Sequence, residues 1–239
     1  MAEQTVQFKV FRYKQGERPS YQTYTVQVDS RTTVLRALEQ IRREQDGTLA
    51  FRHSCLHASC GTCGMKVNGQ EVLACVTNVL ELGTPVVVVE PLDNAPLVTD
   101  LVVDMGDFYT RYRPAGMPMI RESAFLPDSQ VAEGVEHHLR LENCIECGLC
   151  LSACPVVGSD PLYLGPAALA AAWRMVEEPR GRDPATVLTW VDQEHGCWRC
   201  HAAFECSEVC PSDVDPAGAI MALRRELTRR KIGQLFGRR

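Results

Sequence analysis

Three observations predict an α+β protein of two domains, strands first and helices after. Residues 1–105 carry alternating or β-branched runs separated by turn signals. From about Gly106 the chain becomes Pro/Gly-punctuated (YRPAGMPMIRESAFLPDS) and then helical in period, with no convincing strand. The twelve cysteines fall in three groups, one before that change and two after it. A chain of 239 residues suits two domains of roughly 100–130 residues, here 1–105 and 106–239. With 45% hydrophobic and 23% charged residues and a mean hydropathy of −0.14, disordered and collagen-like classes are excluded.

In the first domain the strand runs are Val6–Val10, Tyr24–Val28, Met65–Val67 and Pro85–Val89. One helix interrupts them. Val34, Leu35, Leu38 and Ile41 recur at helical spacing, with Arg36, Glu39, Gln40 and Arg42 on the other side. Asn68-Gly69 is the strongest short hairpin signal in the chain. In the second domain Leu164 to Trp173 is the most apolar run, and it is too short to cross a bilayer and holds Gly165 and Pro166. Ile220, Leu223 and Leu227 form a helical stripe that leads into a basic tail, residues 224–239, with a local charge of +6 that leaves −11 for the rest. That tail is read either as a solvated helix end or as a surface for anionic lipid head groups or an acidic partner. Nucleic acid is not an expected partner, because the pI is about 5.7 and only one short basic stretch exists. His137-His138, Trp173, Trp190 and Trp198 are taken as surface and packing residues.

The start, MAEQTVQFKVFRYKQGERPS, lacks the basic, apolar and small-residue succession of a secretory signal, so a reducing cytosolic setting is expected. Cysteine at roughly 5% of such a chain points to metal ligation rather than disulfides. Cys55, Cys60 and Cys63 put three thiols in a nine-residue loop. If Asn68 and Gly69 form a two-residue turn, facing residues sum to 137, and Cys75 lands opposite Thr62, next to Cys63. Three donors in one loop and a fourth on a returning strand match the plant-type [2Fe–2S] arrangement, whereas a zinc knuckle takes two from each of two loops. Gly61 and Gly64 permit the backbone turns by which amide N–H groups reach cluster sulfur. His57, Ser59 and Thr62 are either solvated loop polarity or donors that tune the potential.

Cys144-x2-Cys147-x2-Cys150-x3-Cys154-Pro155 is an unbroken bacterial ferredoxin run, in which three cysteines hold one cubane and the fourth crosses to another cluster. Counting back from Cys210-Pro211, the mate of that run would be Cys200, residue 203, Cys206 and Cys210, but residue 203 is alanine. One iron corner then lacks a thiolate, which predicts a [3Fe–4S] cluster on Cys154, Cys200 and Cys206 and a [4Fe–4S] cluster on Cys144, Cys147, Cys150 and Cys210. Cys197 is left over, read as a buried or idle thiol or as a donor for the missing corner.

These groups and the landmarks Phe51-Arg52-His53-Ser54-Cys55, Cys60-Gly61-Thr62-Cys63-Gly64-Met65, Asn68-Gly69, Val102-Val103-Asp104-Met105, Cys144-Ile145-Glu146-Cys147-Gly148-Leu149-Cys150 and Gly165-Pro166-Ala167-Ala168 closely resemble the iron–sulfur subunits of succinate dehydrogenase and fumarate reductase. The resemblance covers nearly the whole chain. It implies a β-grasp, plant-type ferredoxin-like domain followed by an all-α bacterial ferredoxin-like domain. It further implies a peripheral subunit, on the cytoplasmic face of the cell membrane, that relays electrons between the FAD of a flavoprotein subunit and a quinone held with membrane-anchor subunits. No substrate-converting site is expected on this chain itself. Pro155 and His201 match positions near the quinone in that family, His201 being read either as a proton or hydrogen-bond partner of the quinone or as a structural histidine.

Two departures from the family pattern stand out. Leu56 and Ala58 replace the usual Arg and Gly of the first loop, and Val156-Val157-Gly158 follows Cys154-Pro155 where many succinate-oxidising members carry tryptophan. The direction of turnover, succinate oxidation or fumarate reduction, stays open on these grounds. Three rival readings are an iron–sulfur subunit of another dehydrogenase, a zinc-stabilised scaffold and a free-standing ferredoxin.

Overall fold

A computed structural model describes residues 4–112, 135–178 and 184–237, with side chains described from residue 139 in the second of these. Most of the Pro/Gly-punctuated stretch and the side chains of His137 and His138 lie outside the described residues. The chain divides into two compact units: Met1–Asp107 with Ile145–Ser152, and Phe108–Cys144 with Ala153–Arg239.

The first unit is a five-stranded mixed sheet in the order β2-β1-β5-β3-β4, built from β1 (Gln4–Arg12), β2 (Ser20–Val28), β3 (Gly64–Val67), β4 (Gln70–Leu73) and β5 (Val86–Glu90). β1 pairs antiparallel with β2 and parallel with β5, and β3 pairs antiparallel with both β4 and β5. Val6, Phe8 and Val10 alternate inward with solvated Gln7 and Lys9, and Tyr24, Val26 and Val28 do the same on β2. The helix expected between them is α1 (Val34–Glu44), whose Thr33 side chain caps the Arg36 N–H at 3.3 Å. Its buried face is Val34, Leu35, Ala37, Leu38 and Ile41, the predicted stripe with one alanine added. A two-stranded ribbon, β6 (Leu97–Thr99) with β7 (Val102–Val103), and a helix, α2 (Gly106–Tyr112), follow.

Buried Asp100 ties this unit together. Its carboxylate accepts from Arg12 Nε at 3.1 Å and from the backbone N–H groups of Tyr13 and Ala50 at 2.9 and 2.8 Å. Arg12 also bonds Asp46, which accepts the Tyr24 hydroxyl at 2.7 Å. A buried carboxylate meeting this many donors meets the condition for burying charge.

The segment Ile145–Ser152, which ends in the short helix α4 (Leu149–Ser152), clusters with this unit, and nothing in the sequence reading announces that excursion. Polar contacts account for it: Ser152 Oγ donates to Glu71 at 2.9 Å and accepts from the Asp93 N–H at 2.8 Å, while Asn94 Nδ2 donates to the carbonyls of Leu151 and Ser152.

The second unit, which takes most of α2, has helices and no strand among its described residues: α3 (Val135–Glu142), α5 (Pro155–Ser159), α6 (Pro166–Glu177), α7 (Ala185–Val191), α8 (Glu205–Glu208) and α9 (Pro216–Leu235). Six consecutive residues of α6, from Ala167 to Ala172, are buried, as suits a helix apolar all round. Pro166 starts it, after Gly165 at φ 88°. α6 packs on α9, which presents the predicted stripe of Ile220, Leu223 and Leu227. Asp215 caps α9 by accepting the Gly218 N–H at 3.0 Å and also accepts the Ser207 hydroxyl at 2.7 Å, which joins α8 to α9.

Candidate metal centres

The first cysteine loop is organised by sulfur. Cys55 Sγ accepts the N–H groups of Ser59 (3.2 Å), Cys60 (3.3 Å) and His57 (3.5 Å), and Cys75 Sγ accepts the Ala58 N–H at 3.3 Å. Amides aimed at Cys55 pull its thiol down to about 7. Burial pushes Cys63, which lies against Cys75, up to about 12. The hairpin does what its arithmetic requires, for Gly64 faces Leu73, Met65 faces Val72, and the Ala74 N–H reaches the Cys63 carbonyl at 3.2 Å. Asn68 and Gly69 both take positive φ, 50° and 80°, as a type I′ turn demands.

Among the three polar loop residues, His57 and Ser59 act through their main chain, and the His57 ring turns back to the Cys55 carbonyl. Thr62 acts by its side chain, with Oγ1 3.2 Å from Cys60 Sγ. Leu56 and Ala58 sit at φ 64° and 58°, so the loop keeps a left-handed backbone where these side chains make it costly.

The second group is divided between the units. Cys147 and Cys150 lie in the first, and Cys147 comes against the loop just described: a Cβ built on Gly61 would stand 2.8 Å from Cys147 Cα and 2.8 Å from the Ile145 carbonyl. Cys144 lies in the second unit, where it and Cys210 pack on one apolar cluster of Leu141, Ala170, Val214 and Ala219. Cys210 Sγ accepts the Val214 N–H at 3.4 Å.

Cys154, Cys200 and Cys206 line one cavity of about 290 Å³ in the second unit, partly open to solvent. Val156, Tyr163, Pro166, Ala203 and Ile220 complete its mostly apolar wall, and Pro155, His201, Phe204 and Glu205 stand at it with exposed faces. Burial raises the thiols of Cys154 and Cys206, the latter to about 12. Arg224 fixes the loop by donating to the carbonyls of Cys197 (2.8 Å), Trp198 (2.9 Å) and Cys200. Cys197 is fully buried on a short 3-10 turn, its thiol pushed up to about 11 by burial, and it is not among the residues that line the cavity.

The residues present suit sulfur-bridged iron. The first loop gathers amide donors around its thiols, and the cavity offers three thiols with alanine at a fourth corner. Among the described residues no three His, Cys, Asp or Glu side chains are drawn close enough to hold a single metal ion. The fit therefore rests on the order of the donors and on the N–H groups aimed at them. Comparison with known proteins bears on the same point. Residues 7–110 match the family model described as a 2Fe-2S iron-sulfur cluster binding domain, and residues 140–214 match a 4Fe-4S dicluster domain. The chain is 37% identical to a fumarate reductase iron-sulfur subunit of Mycobacterium tuberculosis, over 84% of this chain and 83% of that one.

The chain belongs to the family of succinate dehydrogenase and fumarate reductase iron–sulfur subunits. Within that family it is also 33% identical to the succinate dehydrogenase iron-sulfur subunit of Paracoccus denitrificans, covering 93% of this chain and 88% of that one. A mitochondrial succinate dehydrogenase [ubiquinone] iron-sulfur subunit of Candida glabrata is 31% identical over 92% and 90%. The fold matches a chain of the Mycobacterium smegmatis Sdh1 complex in the apo form, with a TM-score of 0.88 at 24% identity over 97% and 98% of the two chains.

Residue spacing does not single out Tyr163, Arg111, Arg224 or Asp160 as part of such a subunit. Asp160 is buried, 2.9 Å from His195 Nδ1, and accepts from Arg199 Nε at 2.8 Å and from the Leu162 N–H at 3.0 Å. Those bonds, the one with His195 first, hold its carboxyl down to about 2. Arg111 donates to the carbonyls of Pro161 (2.7 Å) and Tyr163 (3.1 Å). Apart from the local bonds at Leu162 and between Tyr163 and Asp160, their partners lie far away in sequence, so no local motif exposes them.

Proposed function

We propose that the chain is an electron relay between the FAD of a flavoprotein partner and a membrane quinone, in a complex that interconverts succinate and fumarate. Cys55, Cys60, Cys63 and Cys75 hold a [2Fe–2S] cluster, Cys144, Cys147, Cys150 and Cys210 a [4Fe–4S] cluster, and Cys154, Cys200 and Cys206 a [3Fe–4S] cluster, with Cys197 outside the ligand set. These clusters supply one-electron chemistry when bound. The chain's own part is to present thiolates, to aim N–H groups at their sulfur and to keep water from them.

The observation that carries this reading is the cavity where exactly three buried or half-buried thiols meet Ala203 instead of a fourth donor. Pro155 and His201, exposed at its edge, face the quinone in this reading. The subunit is peripheral to the cytoplasmic face of the membrane and is held by anchor subunits. No helix among the described residues is long and apolar enough to cross a bilayer. Cationic α9, with Ile232, Leu235 and Phe236 exposed at its end, offers a surface for that attachment. The 1–105 and 106–239 division separates the [2Fe–2S] domain from the two-cluster domain.

Low-temperature EPR of the natively purified complex, as isolated and after dithionite, tests the wiring, with iron counted on the same sample. The expected result is an oxidised three-iron signal that disappears on reduction, reduced [2Fe–2S] and [4Fe–4S] signals, and about nine irons per chain. A missing three-iron signal with about ten irons per chain overturns it. Turnover mainly from quinol to fumarate is a second reading, favoured by Val156-Val157-Gly158 after Cys154-Pro155. Comparing the two rates in the same preparation separates the directions.

A further inference from the structure

Among the described residues Tyr163 is the largest side chain with no solvent exposure at all, and its hydroxyl is buried without a hydrogen-bond partner. The rest of the residue is fully engaged. Its N–H donates to the Asp160 carbonyl at 3.1 Å, and its own carbonyl accepts from Arg111 at 3.1 Å. Next to it the Leu164 N–H donates to the His195 carbonyl at 2.9 Å. The ring is thus held in one place on the wall of the cavity that Cys154, Cys200 and Cys206 share, with the hydroxyl close to Cys200 but in no well-formed bond. A phenylalanine ring would fill the same space without stranding a donor, and a buried hydroxyl left unpaired is costly. Val156, Pro166, Ala203 and Ile220 offer no side-chain acceptor, and the hydroxyl makes no bond to His201 or Glu205, the two polar side chains that also line the cavity.

We infer that the Tyr163 hydroxyl donates a hydrogen bond to the sulfur cage of the three-iron cluster and raises its reduction potential. The inference rests on the ligand reading above. One-electron reduction adds a negative charge inside the cavity, and the phenol keeps its proton while its O–H dipole meets that charge. A donor to cluster sulfur favours the reduced, more negative state, so it moves the potential upward. The Ala202 N–H, 3.3 Å from Cys200 Sγ, acts in the same sense from the main chain and is untouched by a change at 163.

The test is a redox titration of the three-iron EPR signal in the intact complex for the wild type, Tyr163→Phe and Tyr163→3-fluorotyrosine. Tyr163→Phe should lower the potential by an amount on the order of a tenfold change in the one-electron equilibrium, about 59 mV. The [2Fe–2S] and [4Fe–4S] signals, which do not border the cavity, should keep theirs. The fluorinated phenol, similar in shape and a stronger donor, should shift the potential the other way. If the three-iron signal is present and neither variant moves its potential, Tyr163 has no such role and the ligand reading stands. If the wild type shows no three-iron signal, the ligand reading has failed, and this inference with it. Should Tyr163→Phe fail to assemble, the fluorinated variant decides alone: an upward shift upholds the inference, and an unchanged potential overturns it.

Discussion

At the scale of the residue, the first cysteine loop trades backbone comfort for amides aimed at sulfur. Ala58 at φ 58° sends its N–H to Cys75 Sγ, but an L side chain in that region costs on the order of 1 kcal/mol that glycine does not pay. Ala58→Gly should therefore stabilise the protein by about 0.5–1 kcal/mol, read as a higher denaturant midpoint with the cluster spectrum unchanged. Gly61→Ala should do the reverse. It combines φ 70° with a Cβ 2.8 Å from main-chain atoms at Cys147 and Ile145, so a loss of at least about 2 kcal/mol and altered [2Fe–2S] and [4Fe–4S] spectra are expected. Spectra identical to wild type in Gly61→Ala would mean that the two loops give way freely.

At the scale of the element, β2 and the end of α1 meet through Tyr24, whose hydroxyl bonds Asp46. Burial first, then the bond to Asp46, pushes the phenol from 10.0 up to about 12. A raised folded pKa means that the folded state holds the proton longer than the unfolded chain does. The contribution is fully present below pH 10 and is lost as the pH rises through about 12. Guanidinium unfolding at pH 8, 10 and 11 should show wild-type stability falling more steeply than that of Tyr24→Phe, by at most about 2 kcal/mol. Parallel slopes would remove Tyr24 from the alkaline limb. The legible elements were those whose signal is local. The alternation of β1 and β2, the stripe of α1 and the Asn68-Gly69 register to 137 all read directly from the sequence, and the structure keeps each. That Cys154, Cys200 and Cys206 come together at one cavity was legible because their spacing is itself the signal. Arg224 under the Cys200 loop and Arg111 under Tyr163 were not, because each reaches carbonyls of residues distant in sequence, and carbonyls carry no residue identity.

At the scale of the whole molecule, the two units differ in what holds them up. The first has a five-stranded sheet with a core of Phe8, Val26, Leu38, Ile41 and Val87, beside which Cys63 and Cys75 are also buried. The second contains α5, α7 and α8, of 5, 7 and 4 residues, far below the roughly 12–15 at which isolated helices are even marginal. Cys154 precedes α5, Cys197 and Cys200 lie between α7 and α8, Cys206 lies on α8 and Cys210 just after it, so metal bonds would staple what the helices cannot hold alone. Removing iron with a chelator and reductant should therefore lose helical circular dichroism and helical amide protection first, while amides of β1 and β5 remain protected. Simultaneous loss in both units would refute the difference.

The allocation of Ile145–Ser152 to the first unit has a consequence for biosynthesis. The chain leaves that unit at Asp107, returns at Ile145 and departs again after Ser152, so three peptide bonds, not one linker, join the two bodies. A nascent chain that has emerged only as far as Asp107 lacks the strand of contacts that Ser152, Leu151 and Gly148 give to Glu71, Asp93, Asn94 and Met105. The ribosome must release some forty-five further residues before those contacts can form, and by then Cys144, the leading cysteine of the second body, is already outside. A single proteolytic nick between residues 108 and 144 would thus leave the N-terminal fragment gripped by a piece of the C-terminal one.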